Sequence, residues 1–213
     1  MITVHHLGVS QSERITWLCE ELDLPYTLKR YDRDANTKRA PVDYKALHPM
    51  GVAPVITDGS LVLAESGAIV QYIIAKYGDG RLAIKPENSN FADYLFWFHF
   101  ANGTMLPSQM SGMISTVLGL KDTDPLIKTM KERCDRSFAL VERRLGEVPY
   151  FAGTELTAAD IMMLFSLSTM RVFAQRDLSA LPNVRSYLKR IGERPAYRRA
   201  MSKGDPGMAP LLA

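Results

Sequence analysis

A two-residue turn between two apolar runs constrains the fold of this chain more than any other feature. Asp58 and Gly59 separate a β-branched run at residues 55–57 from a second apolar run at residues 61–63. Both turn residues tolerate a positive φ, so the segment predicts a β-hairpin. Pro54 stands directly before the first strand, where it lacks an amide donor and can adopt the cis form. The chain is therefore expected to build a sheet that contains a hairpin entered through a proline.

The segments on either side of the hairpin predict an α/β unit. Residues 2–7 and 26–31 are short runs with β-branched or aromatic residues, and they predict two strands. Between them, apolar residues recur at helical spacing and predict one buried helix face: Ile15, Leu18, Cys19 and Leu22. A second helical pattern follows the hairpin over residues 69–77. The order β-α-β and then β-β-α is typical of a thioredoxin-like domain, which we assign to residues 1–78.

The rest of the chain predicts a helical domain at residues 91–213, after a charged linker at residues 79–90. Apolar residues over 127–145 step by three and four, as on a helix face that packs on a core. Thr157 and Asp160 have the spacing of a capping box at a helix start. The predicted fold class is thus α/β plus all-α, a thioredoxin-like amino-terminal domain with an all-helical carboxy-terminal domain.

The composition of the 213 residues argues against several classes of protein. The net charge is only +3 and the basic residues are scattered, so we expect no nucleic acid partner. Cys19 and Cys134 lack metal-ligand spacing and predict neither a disulfide framework nor a metal site. The pattern of a signal peptide and an apolar run of membrane-spanning length are both missing from the sequence. These features predict a cytoplasmic protein without a membrane partner, and the tail after Lys203 is expected to fray or to drape over the surface.

Two short segments predict a site for a small peptide with charged ends. With Pro54 in place, the amide and carbonyl of Ala53 are free to pair with an extended ligand. Glu65 can take an ammonium group, and the helix that starts near Ser66 offers N–H groups and a positive dipole end to a carboxylate. The ligand that fits this description is glutathione-like. A serine before a helix also caps it without any ligand, so capping is the alternative for Ser66.

In this order and at these distances, the segments resemble those of the cytosolic glutathione S-transferases. The resemblance covers almost the whole chain and rests on these stretches: residues 2–22, Ala53-Pro54, Glu65-Ser66, the capping box at 157–160, and residues 194–197. Residues 94–107 look closest to bacterial and fungal members. The family implies glutathione as co-substrate without a metal, a hydrophobic electrophile or organic peroxide as second substrate, and a homodimer.

The resemblance also implies how the glutathione thiol is ionised. In serine-type members, the active hydroxyl lies four residues before an arginine in the first helix, and Ser10 precedes Arg14 by that interval. The Ser10 hydroxyl would donate a hydrogen bond to the sulfur. Ser10 and Glu13 also have the spacing of a capping box, which is a purely structural alternative. Ser12 and Arg14 are the other candidates for stabilising the thiolate, whereas a strand histidine such as His6 is expected to be structural.

One position departs from the family pattern. Many relatives carry a lysine two residues before the proline, where it can pair with the glycine carboxylate of glutathione, but this chain has Val52. Lys38, Arg39 or Lys45 could replace that charge. The loss of one exposed pair is worth only about 1 kcal/mol, so binding is expected to survive.

The second substrate is expected to bind between the two domains, with the Ser10 loop as one wall. The candidate lining residues on the helical side are Phe98, Asn102, Met105, Gln109 and Met113. Methionines make an adaptable apolar surface, which favours a hydrophobic electrophile. Two other functions remain open at this point: a glutathione-binding or partner-binding module with little catalysis, and a glutathione-dependent isomerase or reductase.

Overall fold

The computed structural model describes residues 1–121 and 123–212 and divides the chain into two compact units. The first contains residues 1–83 together with 191–210, and the second contains residues 84–190 with 211 and 212. The first unit therefore includes a carboxy-terminal segment that the sequence assigned to the helical domain. That segment belongs there because it packs on the first helix of the chain.

The first unit is built on one mixed four-stranded sheet. Its strands are β1 (Ile2–Leu7), β2 (Tyr26–Tyr31), β3 (Val55–Asp58) and β4 (Leu61–Ala64), in the spatial order β2-β1-β3-β4. β1 and β2 are parallel, whereas β3 is antiparallel to both β1 and β4. The thioredoxin-like fold class predicted from the sequence is confirmed.

The hairpin forms as predicted, but its turn lies one residue later. Asp58 pairs with Leu61, so the two loop residues are Gly59 and Ser60. Gly59 has φ of +60°, which fits a turn with glycine at its first central position. Asp58 is therefore the last residue of β3, and its carboxylate accepts hydrogen bonds from Tyr72, Lys76 and Tyr77.

The helices of the chain follow in order. They are α1 (Glu13–Glu21), α2 (Val42–Lys45), α3 (Ser66–Lys76), α4 (Phe91–Phe100), α5 (Leu106–Val117), α6 (Pro125–Glu147), α7 (Ala158–Leu167), α8 (Pro182–Glu193) and α9 (Pro195–Gly204). A π-helical turn (Ala101–Met105) connects α4 to α5. None of the helices within 1–121 and 123–212 is long and apolar enough to cross a membrane.

Local sequence signals explain where two of the long helices begin. Asp124 precedes α6 and its carboxylate accepts from the backbone N–H groups of Leu126 and Ile127. The predicted capping box is present at α7, where Thr157 accepts from the helix backbone and Asp160 accepts from the Thr157 N–H. Every residue of α7 is buried, so this cap fixes the central helix of the second unit.

The last helix of the chain belongs to the first unit. The ring of Tyr197 in α9 meets Trp17 in α1 edge to face, with 5.4 Å between ring centroids. Arg194 adds a salt bridge to Glu21 at 2.7 Å. The helix continues to Gly204, and Asp205 behind it is 3% exposed. Of the two expectations for the tail, fraying after Lys203 is therefore wrong as far as Asp205, because this residue is held by contacts with His6 and Val9.

Candidate functional site

The register of the sheet brings the predicted site segments to one end of the sheet. β3 begins at Val55, which pairs with His5 near the carboxyl end of β1 and with Ala64 at the carboxyl end of β4. Three segments therefore lie at the same end of the sheet: the loop after β1, the residues before β3 and the residues after β4. These three segments carry Ser10, Ala53-Pro54 and Glu65-Ser66, respectively.

The peptide bond between Ala53 and Pro54 is cis, as the sequence suggested it could be. Pro54 is buried, whereas Ala53 is partly accessible and lies next to the first residue of β3. The segment before it contains Val52, which is 50% exposed. The stem of Lys45 lies beside this segment, since a Cβ at Gly51 would lie 3.5 Å from the Lys45 Cγ. Of Lys38, Arg39 and Lys45, the candidates to replace the missing lysine, Lys45 therefore lies beside the segment that precedes Pro54.

Glu65 and Ser66 begin α3 in an unusual backbone conformation. Glu65 has φ of +72° and ψ of 115°, a combination that a residue with a side chain rarely adopts. Its side chain is exposed, and Ser66 behind it is buried. Strained backbone of this kind persists only where the surrounding structure holds it in place, and it is found preferentially at ligand and active sites. The first N–H groups of α3 and its positive dipole end face the same end of the sheet.

Arg14 is buried beside Ser66. Its Nη1 donates to the Gln11 Oε1 at 2.6 Å and to the Ser66 Oγ at 3.2 Å. Burial lowers the pKa of Arg14 to about 10, against the opposing effect of the Glu13 charge, so the guanidinium stays protonated at neutral pH. The general expectation for an arginine in a first helical turn is a surface position, and here a buried cation lies next to the start of α3 instead. Sequence reasoning did not single out Gln11, whose Oε1 accepts from both Arg14 and Ser66.

Ser10 lies in the loop between β1 and α1, and its hydroxyl donates to the Leu7 carbonyl oxygen at 2.6 Å. Its Oγ also lies 2.8 Å from the Ser12 Oγ and accepts from the Ser12 N–H at 3.3 Å. α1 begins at Glu13 with Ser12 as its N-cap, so Ser10 lies two residues before the cap. Ser10 is 4% exposed and Ser12 is 0% exposed, which leaves Ser10 the more accessible of the two hydroxyls.

Two residues that sequence reasoning did not select extend this group of hydroxyls. The Ser12 Oγ lies 2.9 Å from the His6 Nδ1, and the His6 Nε2 lies 3.2 Å from the Asp205 Oδ2. All three side chains are buried. No sequence spacing could indicate this contact, because 199 positions separate His6 from Asp205.

Cysteine chemistry has little support at this site. Cys19 is fully buried in α1, and burial, with the neighbouring charge of Glu20, raises the pKa of its thiol to about 12. A thiol with so high a pKa is a poor nucleophile at neutral pH. Within residues 1–121 and 123–212, no three histidine, cysteine or acidic side chains are grouped as metal ligands.

In the helical unit, two of the five predicted pocket residues line a cavity. Gln109 and Met113 contribute to the wall of a cavity of about 490 Å³ between α5, α6 and the segment after α7. Phe98 and Met105 are instead buried, at 3% and 0% exposure, and Asn102 is partly exposed in the π-helical turn. The other side chains around the cavity include Lys131, Cys134, Phe138, Phe173 and Arg176.

Gln109 is the buried polar group of this cavity wall. Its Nε2 donates to the Ser166 carbonyl oxygen at 2.8 Å, whereas its Oε1 is buried without a hydrogen-bond partner in the described part of the chain. A buried acceptor without a partner is uncommon in folded proteins. Arg176 stacks on the Phe138 ring at 4.5 Å and pairs with Asp135, so its guanidinium is already partnered.

Comparison with known proteins gives a consistent result for both units. The family model for the glutathione S-transferase N-terminal domain matches residues 1–75, and that for the C-terminal domain matches residues 114–199. Glutathione S-transferase 3 of Schizosaccharomyces pombe is 33% identical over 100% of this chain and 92% of its own length. Glutathione S-transferase GstB of Escherichia coli is 29% identical over 89% of this chain and 91% of its own.

Solved structures agree with the sequence relatives. A glutathione S-transferase from Actinobacillus pleuropneumoniae has a TM-score of 0.88 at 33% identity, covering 96% of this chain and 93% of that chain. A glutathione transferase from Phanerochaete chrysosporium, solved with oxidized glutathione, shares the fold with a TM-score of 0.74 at 22% identity, over 95% and 94% of the two chains.

Proposed function

The chain belongs to the cytosolic glutathione S-transferase family, and we propose that it joins the glutathione sulfur to an apolar electrophile, with Ser10 as the hydrogen-bond donor to the thiolate. The observation that carries the proposal is the register of the sheet. It brings Ser10, the Ala53-Pro54 segment and the start of α3 to one end of a thioredoxin-like sheet. Reduction of an organic peroxide would use the same thiolate.

Each part of glutathione then has a partner of matching chemistry. The backbone of Ala53 pairs with the cysteinyl residue, and Glu65 takes the ammonium group of the γ-glutamyl residue. The carboxylate of that residue binds Ser66 and the N–H groups of α3, near the buried charge of Arg14. Lys45 is the candidate for the glycine carboxylate, in the role that Val52 cannot fill.

The energetic demand on the site is modest. A free thiol has a pKa near ~8.5, so only a few per cent is thiolate at neutral pH. A decrease of about two pKa units requires about 2.7 kcal/mol of preferential binding of the thiolate. One hydroxyl donor to a charged sulfur contributes about 1.5–3 kcal/mol, and the amino terminus of α1 adds a smaller amount.

Ultraviolet absorbance of the bound thiolate tests this proposal directly. The protein is saturated with glutathione, and the thiolate absorbance is titrated with pH beside free glutathione. A bound thiol pKa well below the free value, with conjugation of a panel of aryl halides or epoxides, is the expected result. Tight binding with an unshifted pKa would mean that the protein is a glutathione-binding module instead.

We further propose that the cavity in the helical unit takes up the apolar part of the electrophile. Its support is the apolar lining by Met113, Phe138 and Phe173, which suits an apolar molecule. Asn102, Phe98 and Met105 belong to the same helical stretch and would shape this region from behind.

Met113→Ala is expected to raise KM for a large apolar electrophile about fivefold to tenfold, because it removes about 1–1.4 kcal/mol of apolar contact. KM for glutathione should stay the same. Met130→Ala is the matched control, since Met130 is also half-buried but does not line the cavity. Equal effects of the two variants on KM for the electrophile would contradict the assignment.

A homodimer is the assembly that we propose for this chain. Both α4 and α5 carry exposed apolar side chains: Leu95, Phe96, Met110, Ile114 and Val117. Met110, Ile114 and Val117 are four and three positions apart and so lie on one face of α5. Water-exposed apolar stripes of this kind mark association surfaces, and in this family a second copy is the expected partner.

Ile114→Arg is expected to convert the dimer to a monomer, because a charge in the centre of an apolar interface is left unpaired. Light scattering after size-exclusion chromatography gives the mass. Leu126→Arg is the control, since Leu126 is 62% exposed but lies on α6 rather than on α4 or α5. A wild-type monomer, or an unchanged mass in the Ile114 variant, would rule out this surface.

A further inference from the structure

A continuous chain of buried polar contacts connects the end of α9 with Ser10. The Asp205 Oδ2 lies 3.2 Å from the His6 Nε2, the His6 Nδ1 lies 2.9 Å from the Ser12 Oγ, and the Ser12 Oγ lies 2.8 Å from the Ser10 Oγ. The Ser12 Oγ also accepts from the Leu7 N–H at 3.2 Å. Since all these side chains are buried, each contact is shielded from water and is stronger than its surface equivalent.

The donor and acceptor roles in this series of polar contacts are set by Asp205. Burial acts to raise the pKa of Asp205, but the His6 bond and charge, the Val9 N–H and the Arg30 charge outweigh it and lower the pKa below the usual value. The carboxylate is thus ionised at neutral pH and can only accept. The Nε2 of His6 must then carry a proton, and the ring is fixed with Nδ1 toward Ser12.

Asp205 also holds the loop that carries Ser10. Its Oδ1 accepts from the Val9 N–H at 3.0 Å, and Val9 has φ of +51°, which is strained for a β-branched residue. α9 approaches His6 closely, since a Cβ at Gly204 would lie 3.1 Å from the imidazole ring. One carboxylate therefore fixes both the backbone of the loop and the histidine that contacts Ser12.

We propose that Asp205 is a positioning residue for the thiolate site, acting through His6 and Ser12 on the Ser10 hydroxyl. The inference rests on the proposed function, in which Ser10 donates to the glutathione sulfur. Without ligand, the Ser10 proton is donated to the Leu7 carbonyl oxygen. Rotation of the hydroxyl can direct this proton to a sulfur while Ser12 keeps the Ser10 oxygen in place. A donor held in this way needs no reorganisation when the thiolate forms.

Asp205→Asn tests the proposal with little change in shape. The asparagine oxygen can still accept from Val9, but its amide group presents a donor to the His6 Nε2, so the bond from the Nε2 proton to a carboxylate is lost and a contact can form only if Nε2 gives up that proton. The pKa of enzyme-bound glutathione is expected to rise by about 0.5–1 unit, so that about threefold to tenfold less thiolate is present at a given pH. Ser12→Ala keeps both Asp205 contacts and should raise the thiol pKa in the same direction.

Asp58→Asn is the matched control. Asp58 is also a buried carboxylate with several hydrogen bonds, but it lies at the hairpin turn, at the other end of the sheet. This variant is expected to lose thermal stability and to leave the bound thiol pKa unchanged. Circular dichroism confirms that each variant is folded before titration.

A double variant decides whether Asp205 acts through Ser10. In the Ser10→Ala background, Asp205→Asn should leave the bound thiol pKa at the Ser10→Ala value. An additional rise would show that Asp205 acts independently of Ser10 and would overturn the inference. If Ser10→Ala raises the thiol pKa but neither Asp205→Asn nor Ser12→Ala does, the inference fails and the proposed function stands. If Ser10→Ala has no effect, both fail.

Discussion

Replacement of Ser10 by alanine is expected to lower kcat/KM for conjugation about tenfold to a hundredfold below the thiol pKa. The reason is the loss of a hydrogen bond to a charged sulfur, worth about 1.5–3 kcal/mol. KM for glutathione should change little, because in the proposed binding mode the peptide is held mainly by Ala53, Glu65 and Ser66. Steady-state kinetics with one aryl halide, as a function of pH, measures both quantities.

The pH profile adds a second criterion to this prediction. At high pH, free thiolate forms without help, so the rates of wild type and Ser10→Ala should converge. Ser179→Ala is a suitable control, since Ser179 is exposed in the loop before α8 and bonds only to Asp177 in the described contacts. An unchanged kcat/KM in Ser10→Ala would transfer the role to Ser12 or Arg14.

Asp160→Ala is expected to lower the free energy of unfolding by about 3–5 kcal/mol. The fully buried carboxylate accepts from the Phe151 N–H at 3.0 Å, the Thr157 N–H at 2.9 Å and the Thr157 hydroxyl at 3.2 Å. Alanine leaves buried donors unpaired, at about 1–3 kcal/mol each, and removes half of the capping box. Urea unfolding followed by circular dichroism measures the change.

Asp124→Ala provides the comparison for this stability prediction. Asp124 also caps a long helix, but it is exposed, so water can replace its two contacts. Its removal is expected to lower the free energy of unfolding by only about 1 kcal/mol. Equal losses for the two variants would mean that burial adds nothing to the cap at α7.

The same carboxyl makes stability depend on pH. Burial raises the pKa of Asp160 to about 6, against the hydrogen bonds from Thr157 and Phe151. In the unfolded chain this pKa is near ~3.9, so the folded state binds the proton more tightly. This contribution is present below about pH 4 and is lost as pH rises through about 6, a change of about 3 kcal/mol for two units. The destabilisation by Asp160→Ala should therefore be larger at pH 4 than at pH 7.

The sequence by itself determined the local elements of this protein. The hairpin between β3 and β4 and the capping box at Thr157 follow from backbone preferences within a few residues, whereas the exact turn position and the cis state of the Ala53-Pro54 bond were seen only in the structure. Apolar periodicity gave α1 its buried face. The order of these elements was enough to predict the fold class, because a short list of connections joins them into one sheet, whereas the family was identified from the resemblance of the motifs that they carry.

Which residues share a helix face in the second unit could be determined only from the three-dimensional structure. Helical spacing of three and four places the predicted pocket residues on one face: Phe98, Asn102, Met105, Gln109 and Met113. The π-helical turn Ala101–Met105, however, rotates the residues after it relative to those before it. Gln109 and Met113 consequently line the cavity while Phe98 and Met105 are buried.

Only the tertiary structure decided which polar groups surround Ser10. Asp205 lies 196 positions from Val9 and 199 from His6, and the closure of such long loops leaves no local pattern in the sequence. Arg14 likewise meets Ser66 across 52 positions. Burial makes these contacts strong, because charged and hydroxyl groups removed from water must find partners inside the protein. Which partners they find depends on how α9 packs on α1 and on how the strands align. Neither can be read from the amino-acid sequence alone.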